Sequence, residues 1–160
     1  MNTMRQSIRK VKVLGYPFAG GQPRGGVELT PGWLKSQVWF QNLAASRRSA
    51  VVYEEIKVSS PHCNAEHEYA LTNGDVSLAR NIDHVMASSE QLKKQTAQAL
   101  KDGYYPIVLG GDHSQAIGSI AGLKSVHPDA KLLWVDAHID ANTPASSPSG
   151  NAHGMPLSYL

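Results

Sequence analysis

Lys131-Leu-Leu-Trp-Val-Asp-Ala-His-Ile-Asp140 runs apolar from Leu132 to Val135 and then turns abruptly into potential metal ligands. An unbroken apolar run of this kind predicts a strand buried on both faces of a parallel sheet. Side chains on an extended segment alternate, so Asp136, His138 and Asp140 are expected on one side and Ala137 and Ile139 on the other. Two carboxylates and one imidazole make a mixed oxygen and nitrogen donor set that suits Mn²⁺ and is compatible with Zn²⁺, Fe²⁺, Co²⁺ or Ni²⁺. The competing reading is a strand end whose charged residues simply reach solvent. A strict Asp-x-His-x-Asp alternation directly after an apolar run favours the metal.

A second ligand group precedes this stretch. Tyr104-Tyr-Pro-Ile-Val-Leu109 predicts a strand, followed at once by Gly110-Gly-Asp-His-Ser114. The two glycines let the backbone turn sharply, Asp112 and His113 then stand at the strand's carboxyl end, and Ser114 is suited to cap the next helix. That helix turns Ile117, Ile120 and Ala121 inward and stops before Pro128. The dinucleotide glycine pattern and the Walker lysine are both missing, which makes a phosphate cradle the weaker reading.

The rest of the chain supplies the frame. Lys10-Val-Lys-Val-Leu-Gly15 reads as a first strand, and a glycine-rich loop from Tyr16 to Val27 follows. Thr30-Pro31 predicts a helix start with Thr30 as N-cap, and Trp33, Leu34 and Val38 mark its expected buried face. Ala50–Val58 predicts a second strand, and the next twenty or so residues a loop. His62, Cys63 and His67 fall in that loop without a fourth ligand or paired spacing, so a surface loop is preferred to a zinc site. Leu78, Ala79, Ile82, Val85 and Met86 recur at helical spacing, as do Leu92, Thr96, Ala99 and Leu100. Ser88-Ser89-Glu90-Gln91 between them fits either a capping box opening a second helix or the side of one long helix. His84 lies near the apolar face and reads as structural, and Gly103 as a left-handed helix cap. Strands alternating with helices predict an α/β fold, a parallel sheet with helices on both faces. In such sheets the site lies beyond the carboxyl ends of the strands, which is where both ligand groups fall.

Composition narrows the function classes. The 160 residues are 41% hydrophobic and 18% charged with a net charge of +2, values of an ordinary globular domain. The basic residues are scattered rather than striped, which argues against nucleic acid, and no apolar run is long enough for a membrane span. A single cysteine, Cys63, excludes an internal disulfide framework and fits a reducing compartment. Arg5, Ser7 and Arg9 precede the first acidic residue, Glu28, but the strand pattern begins by Val11 and leaves little room for a targeting segment. The cytoplasm is therefore favoured over the mitochondrion, with residues 1–9 expected to be disordered.

After Asp140 the chain enters a loop, Ala141-Asn-Thr-Pro-Ala-Ser-Ser-Pro-Ser-Gly-Asn-Ala-His-Gly154, crowded with small hydrogen-bonding side chains and carrying His153. Directly after a ligand cluster, such a loop suits a polar substrate, and His153 suits proton transfer. Taken together, Gly110-Gly-Asp-His-Ser114, Trp134-Val-Asp-Ala-His-Ile-Asp140 and Ser149-Gly-Asn-Ala-His-Gly154 resemble the motifs of the ureohydrolase family, and among them those of the arginases. Gly21-Gln-Pro-Arg-Gly-Gly-Val-Glu28 and Pro31 resemble that family's amino-terminal segment, so the likeness covers essentially the whole chain. The Asn142-Thr-Pro and Ser149-Gly-Asn-x-His-Gly pieces favour arginase over agmatinase.

The resemblance implies a three-layer α/β/α enzyme with two Mn²⁺ ions that hydrolyses L-arginine to L-ornithine and urea. By that analogy His113 and Asp140 bind one ion, His138 the other, and Asp136 bridges them. His153 shuttles protons and, with Asp140, counts among the catalytic residues. Asn142 and Ser149 hold the substrate's α-carboxylate, with Ser147 assisting through water. Assembly as a homo-oligomer, a trimer or hexamer, is implied for the full-length protein.

Two departures qualify the likeness. Ile139 stands where arginases usually carry threonine; facing away from the ligands, it is expected to matter little. The family also completes its metal site with two aspartates from a later strand, and no Asp-x-Asp follows Asp140 in these residues. The expectation is that residues 1–160 are the amino-terminal portion of a single arginase-like catalytic domain, with little or no activity alone. The family's sheet inserts two strands from the other half between those ending at Leu109 and Val135, so unpaired apolar edges are expected here. Alternatives are an agmatinase or other guanidino-hydrolase, which needs no α-carboxylate contact, and a non-catalytic metal-binding or interaction fragment.

Overall fold

The structure is a computed structural model that describes residues 10–45, 50–59 and 79–160. Residues 1–9, the loop with His62, Cys63 and His67, and Leu78 lie outside the described residues.

Strands β1 (Lys10–Gly15), β2 (Ala50–Glu55) and β3 (Tyr105–Leu109) form a parallel sheet in the order β2-β1-β3. In the central strand Val13 pairs with Tyr53 on one side and Ile107 on the other. The pleat sends Val13 and Leu14 to opposite faces, and each face gains its own helical cover. On the face of Leu14, the residues Leu14, Tyr16, Phe18 and Ile56 form a core with Val85 and Leu92 of α3 (Ile82–Lys101) and Ile117 of α4 (Gln115–Val126). On the face of Val13, Tyr53 meets Phe40 edge-on, ring centroids 6.0 Å apart, and so holds α2 (Val38–Ala45) and its neighbour α1 (Thr30–Ser36). The α/β class with helices on both faces is thus realised over three strands.

α3 is one helix of 20 residues, buried at Val85, Ser88, Ser89, Leu92, Thr96 and Ala99, so Ser88-Ser89 lies mid-helix rather than opening a second one. Its small buried residues let α4 come close: a Cβ on Gly122 would lie 2.7 Å from the Lys93 carbonyl oxygen, and one on Gly118 would strike the Ser89 carbonyl. Gly103 takes the left-handed conformation expected of the cap, at φ +78°. His84 is exposed, with Nδ1 3.0 Å from Ser59 Oγ. Among the described residues no helix is long and apolar enough to cross a membrane.

Three local expectations are corrected. Thr30 is the first residue of α1 rather than its cap, because a 3-10 turn over Val27–Leu29 runs straight into the helix. Trp33 and Val38 are exposed, at 61% and 71%, whereas Pro31 and Phe40 are buried. The chain turns extended at Gln37 (ψ 138°), so Trp33 and Val38 lie on separate helices and the helical period does not carry across. The apolar run Leu132–Val135 forms no strand, and Leu133 and Val135 are each 86% exposed. A strand exists only through a ladder partner; β3 is the last strand of the sheet among the described residues, and its Tyr105 and Ile107 are exposed as well.

Candidate metal centre and adjoining cleft

The carboxyl end of β3 leads into the site through a close backbone crossing. Gly111 donates its N–H to Tyr16 O at 2.9 Å and Asp112 donates to Phe18 O at 2.8 Å, so the glycine segment lies against the chain leaving β1. Neither Gly110 nor Gly111 has positive φ. Gly111 is required for space, since a Cβ there would strike the Tyr16 and Phe18 backbone. At Gly111 the sharp-turn reading is replaced by one of close approach.

At the head of α4, Ser114 occupies the N-cap position but its hydroxyl caps nothing. Asp112 acts instead: its Oδ1 accepts the Ser114 N–H at 2.9 Å and its Oδ2 the Gly21 N–H at 2.7 Å. Burial pushes the Asp112 carboxyl above its ordinary value, and the hydrogen bonds from Ser114 and Gly21 oppose that shift. With Asp112 turned inward, His113 faces the cleft.

There His113 Nδ1 lies 2.7 Å from Asp140 Oδ2 and 3.3 Å from Asp136 Oδ2. One ligand atom from each of His113, Asp136 and Asp140 falls within 4.8 Å of the others. That approaches the span of one coordination sphere, where donors about 2.0–2.2 Å from an ion are separated by up to roughly 4.4 Å. The His138 N–H donated to Asp136 Oδ1 at 2.9 Å, together with the nearby His113 and His138 imidazoles, holds the Asp136 carboxyl below the usual carboxylate range. A carboxylate kept ionised suits a divalent cation, and imidazole with two carboxylates is a donor set for Mn²⁺ and its neighbours.

His138 stands apart from this trio. Its side chain is 81% exposed, with Nδ1 3.5 Å from Asp136 Oδ1, so it adjoins Asp136 on the side away from His113's contact with Asp140. The simple alternation along a strand is not what gathers these candidate donors. The segment bends over 136–138, and Asp140 adopts φ +50°, a left-handed conformation tolerated by aspartate. Consequently Ile139, expected to face away, borders the same cleft as Asp136, His138 and Asp140.

The cleft, about 540 Å³, is lined by all eight of the residues singled out from the sequence: His113, Asp136, His138, Asp140, Asn142, Ser147, Ser149 and His153. The loop after Asp140 is tied down at several points. Asn142 N–H donates to Gly154 O at 3.3 Å, Leu157 N–H to Asp140 O at 3.2 Å, Arg80 N–H to Gly150 O at 2.8 Å and His153 N–H to Gly21 O at 3.0 Å. Two contributors were not anticipated. Trp134 stacks on the His113 ring with centroids 5.0 Å apart and donates Nε1–H to His138 O at 3.2 Å. The two-residue period that groups Trp134 with Asp136 was the available signal. The other is Gly21, whose role depends on a long-range contact with no local signature.

The sequence and the fold are similar to those of known proteins. The Arginase family model matches residues 9–160. Arginase-1 of Homo sapiens is 40% identical over 157 residues, covering 98% of this chain and 46% of that protein, and Arginase-1 of Rattus norvegicus is 37% identical over 161 residues with the same coverage. Among solved structures, arginase from Bacillus subtilis superposes with a TM-score of 0.75 at 32% identity, covering 94% of this chain and 46% of its own. The Entamoeba histolytica arginase in complex with L-ornithine superposes at 0.73 with 33% identity, covering 94% and 49%. A Trypanosoma cruzi formiminoglutamase with Mn²⁺ shares the fold at 20% identity and a TM-score of 0.65. The chain thus spans about half the length of the relatives it matches, and over that span it belongs to the arginase family.

Proposed function

We propose that this chain supplies one bank of the active site of an enzyme that hydrolyses L-arginine to L-ornithine and urea. The observation that carries the reading is the meeting of His113 with Asp136 and Asp140 in the cleft that also holds Asn142, Ser147, Ser149 and His153. His113 and Asp140 would hold one manganese ion, His138 a second, and Asp136, which lies beside both imidazoles, would bridge the two. A divalent cation held there would supply the Lewis acidity that makes hydroxide available from water near neutral pH, as attack on a resonance-stabilised guanidinium requires.

The chain's own groups do the remainder. Asn142 and Ser149 donate hydrogen bonds to the substrate's α-carboxylate, with Ser147 assisting through water, and so set the guanidinium end toward the carboxylates. His153 carries a proton between the cleft and the leaving amine. The relatives' greater length supports the further reading that residues 1–160 alone are inactive and that a longer form is needed.

The test is urea release from L-arginine with added Mn²⁺, by this chain and by a form continued past Leu160 to the length of its relatives, with agmatine assayed in parallel. Activity on L-arginine in the longer form alone is the expected result. Robust activity of the 160-residue chain would overturn the claim of inactivity, preference for agmatine would move the substrate, and silence from both proteins would favour a non-catalytic metal-binding role.

A further inference from the structure

Asp112 is 3% exposed, behind the cleft that its neighbour His113 lines. Burying a carboxylate is unfavourable, and a packing role alone would be met by a neutral side chain. Its two oxygens are divided between two parts of the chain: Oδ1 takes the Ser114 N–H, next to His113 at the head of α4, and Oδ2 takes the Gly21 N–H. The same Gly21 then accepts the His153 N–H on its carbonyl oxygen at 3.0 Å. A covalent and hydrogen-bonded path therefore joins the imidazole at the ligand bank to the imidazole across the cleft, and one carboxylate lies at its midpoint. The fit is close, since a Cβ on Gly21 would meet Asp112 Oδ1 at 2.7 Å. Asn81, itself in the left-handed region at φ 52°, donates Nδ2–H to Gly20 O at 3.0 Å and braces the loop beside it.

We propose that Asp112 is a positioning residue, which clamps Gly21 to the head of α4 and thereby fixes where His153 stands relative to His113; the catalytic part of this statement rests on the arginase reading above. An amide at this position accepts from only one of the two N–H groups and turns its own NH₂ toward the other.

The experiment compares Asp112→Asn with the parent in the longer, manganese-loaded form, by residue-resolved amide hydrogen exchange and by steady-state kinetics with metal content measured. Exchange at the Gly21 and His153 amides should rise together by about tenfold or more, while β1 amides stay protected. The kcat should fall by roughly tenfold to a hundredfold, with KM for L-arginine and metal content retained. Gly21→Ala, which wedges the same contact without changing charge, should reproduce the pattern and serves if Asp112→Asn does not fold. Uniform loss of protection across all amides, or unchanged exchange at His153, overturns the positioning role whatever the kinetics. Absence of urea from the parent protein defeats the arginase reading instead and leaves the exchange result to judge the clamp.

Discussion

His113 Nδ1 and Asp140 Oδ2 lie 2.7 Å apart, a contact that joins the loop after β3 to the far end of the segment after Val135. Asp140 reaches it by taking φ +50°, and Trp134 stacks on the other partner's ring. The two groups of candidate donors, separate in sequence, thus meet without a strand between them.

Metal affinity should depend on this pair. Replacing His113 by alanine removes one of three gathered donors, and the loss of Mn²⁺ affinity should exceed the roughly 10–100-fold typical of residues that only support a ligand. Titration calorimetry with MnCl₂ measures it. Chelation of the parent protein followed by Mn²⁺ should restore binding, and His113→Ala should not recover.

Packing between α3 and α4 offers a stability test away from the site. Gly118→Ala would drive a methyl group into the Ser89 carbonyl, backbone against which no rotamer can yield. A destabilisation of about 1–3 kcal/mol is expected from such overpacking, read as a lower urea midpoint at unchanged slope. Gly32→Ala, with nothing within 4 Å of the added carbon, should be nearly silent.

Tyr16 should control the alkaline limb of stability. Burial raises its phenol above the ordinary 10.0, and its hydroxyl faces Ser88, Ser89 and Ser114 without a hydrogen bond of good geometry. The unfolded chain therefore loses this proton first, so the contribution is fully present below pH 10.0 and is lost as pH rises toward the higher folded value. Tyr16→Phe should flatten the decline in unfolding free energy above pH 10.0. An unchanged slope would show that another group governs it.

The exposed apolar run should govern self-association of the 160-residue chain. Among the described residues β3 ends the sheet with Tyr105 and Ile107 exposed, and Leu133 and Val135 present apolar side chains to solvent as well. Lysine at Ile107, Leu133 and Val135 should reduce concentration-dependent light scattering, since charge at an open edge opposes strand addition. Equal scattering by both forms would place the association elsewhere.

Some limits of these strands and helices follow from local chemistry. β1 ends where its apolar alternation meets Gly15, α3 ends at Lys101 just before the left-handed Gly103, and the candidate donors His113, Asp136, His138 and Asp140 are legible as residue types. These features depend on the side chains and φ preferences of residues close in sequence, which a linear reading captures. What only the tertiary structure decided depends on distant partners. Leu132–Val135 is apolar enough for a buried strand yet remains outside the sheet, because a ladder requires a neighbour and burial requires cover. Gly111 is small because the Tyr16 and Phe18 backbone passes beside it, and Ile139 borders the cleft because bends at 136–138 break the alternation. Asp112, next to His113 in sequence, turns inward, where Gly21 and Ser114 each present it an N–H.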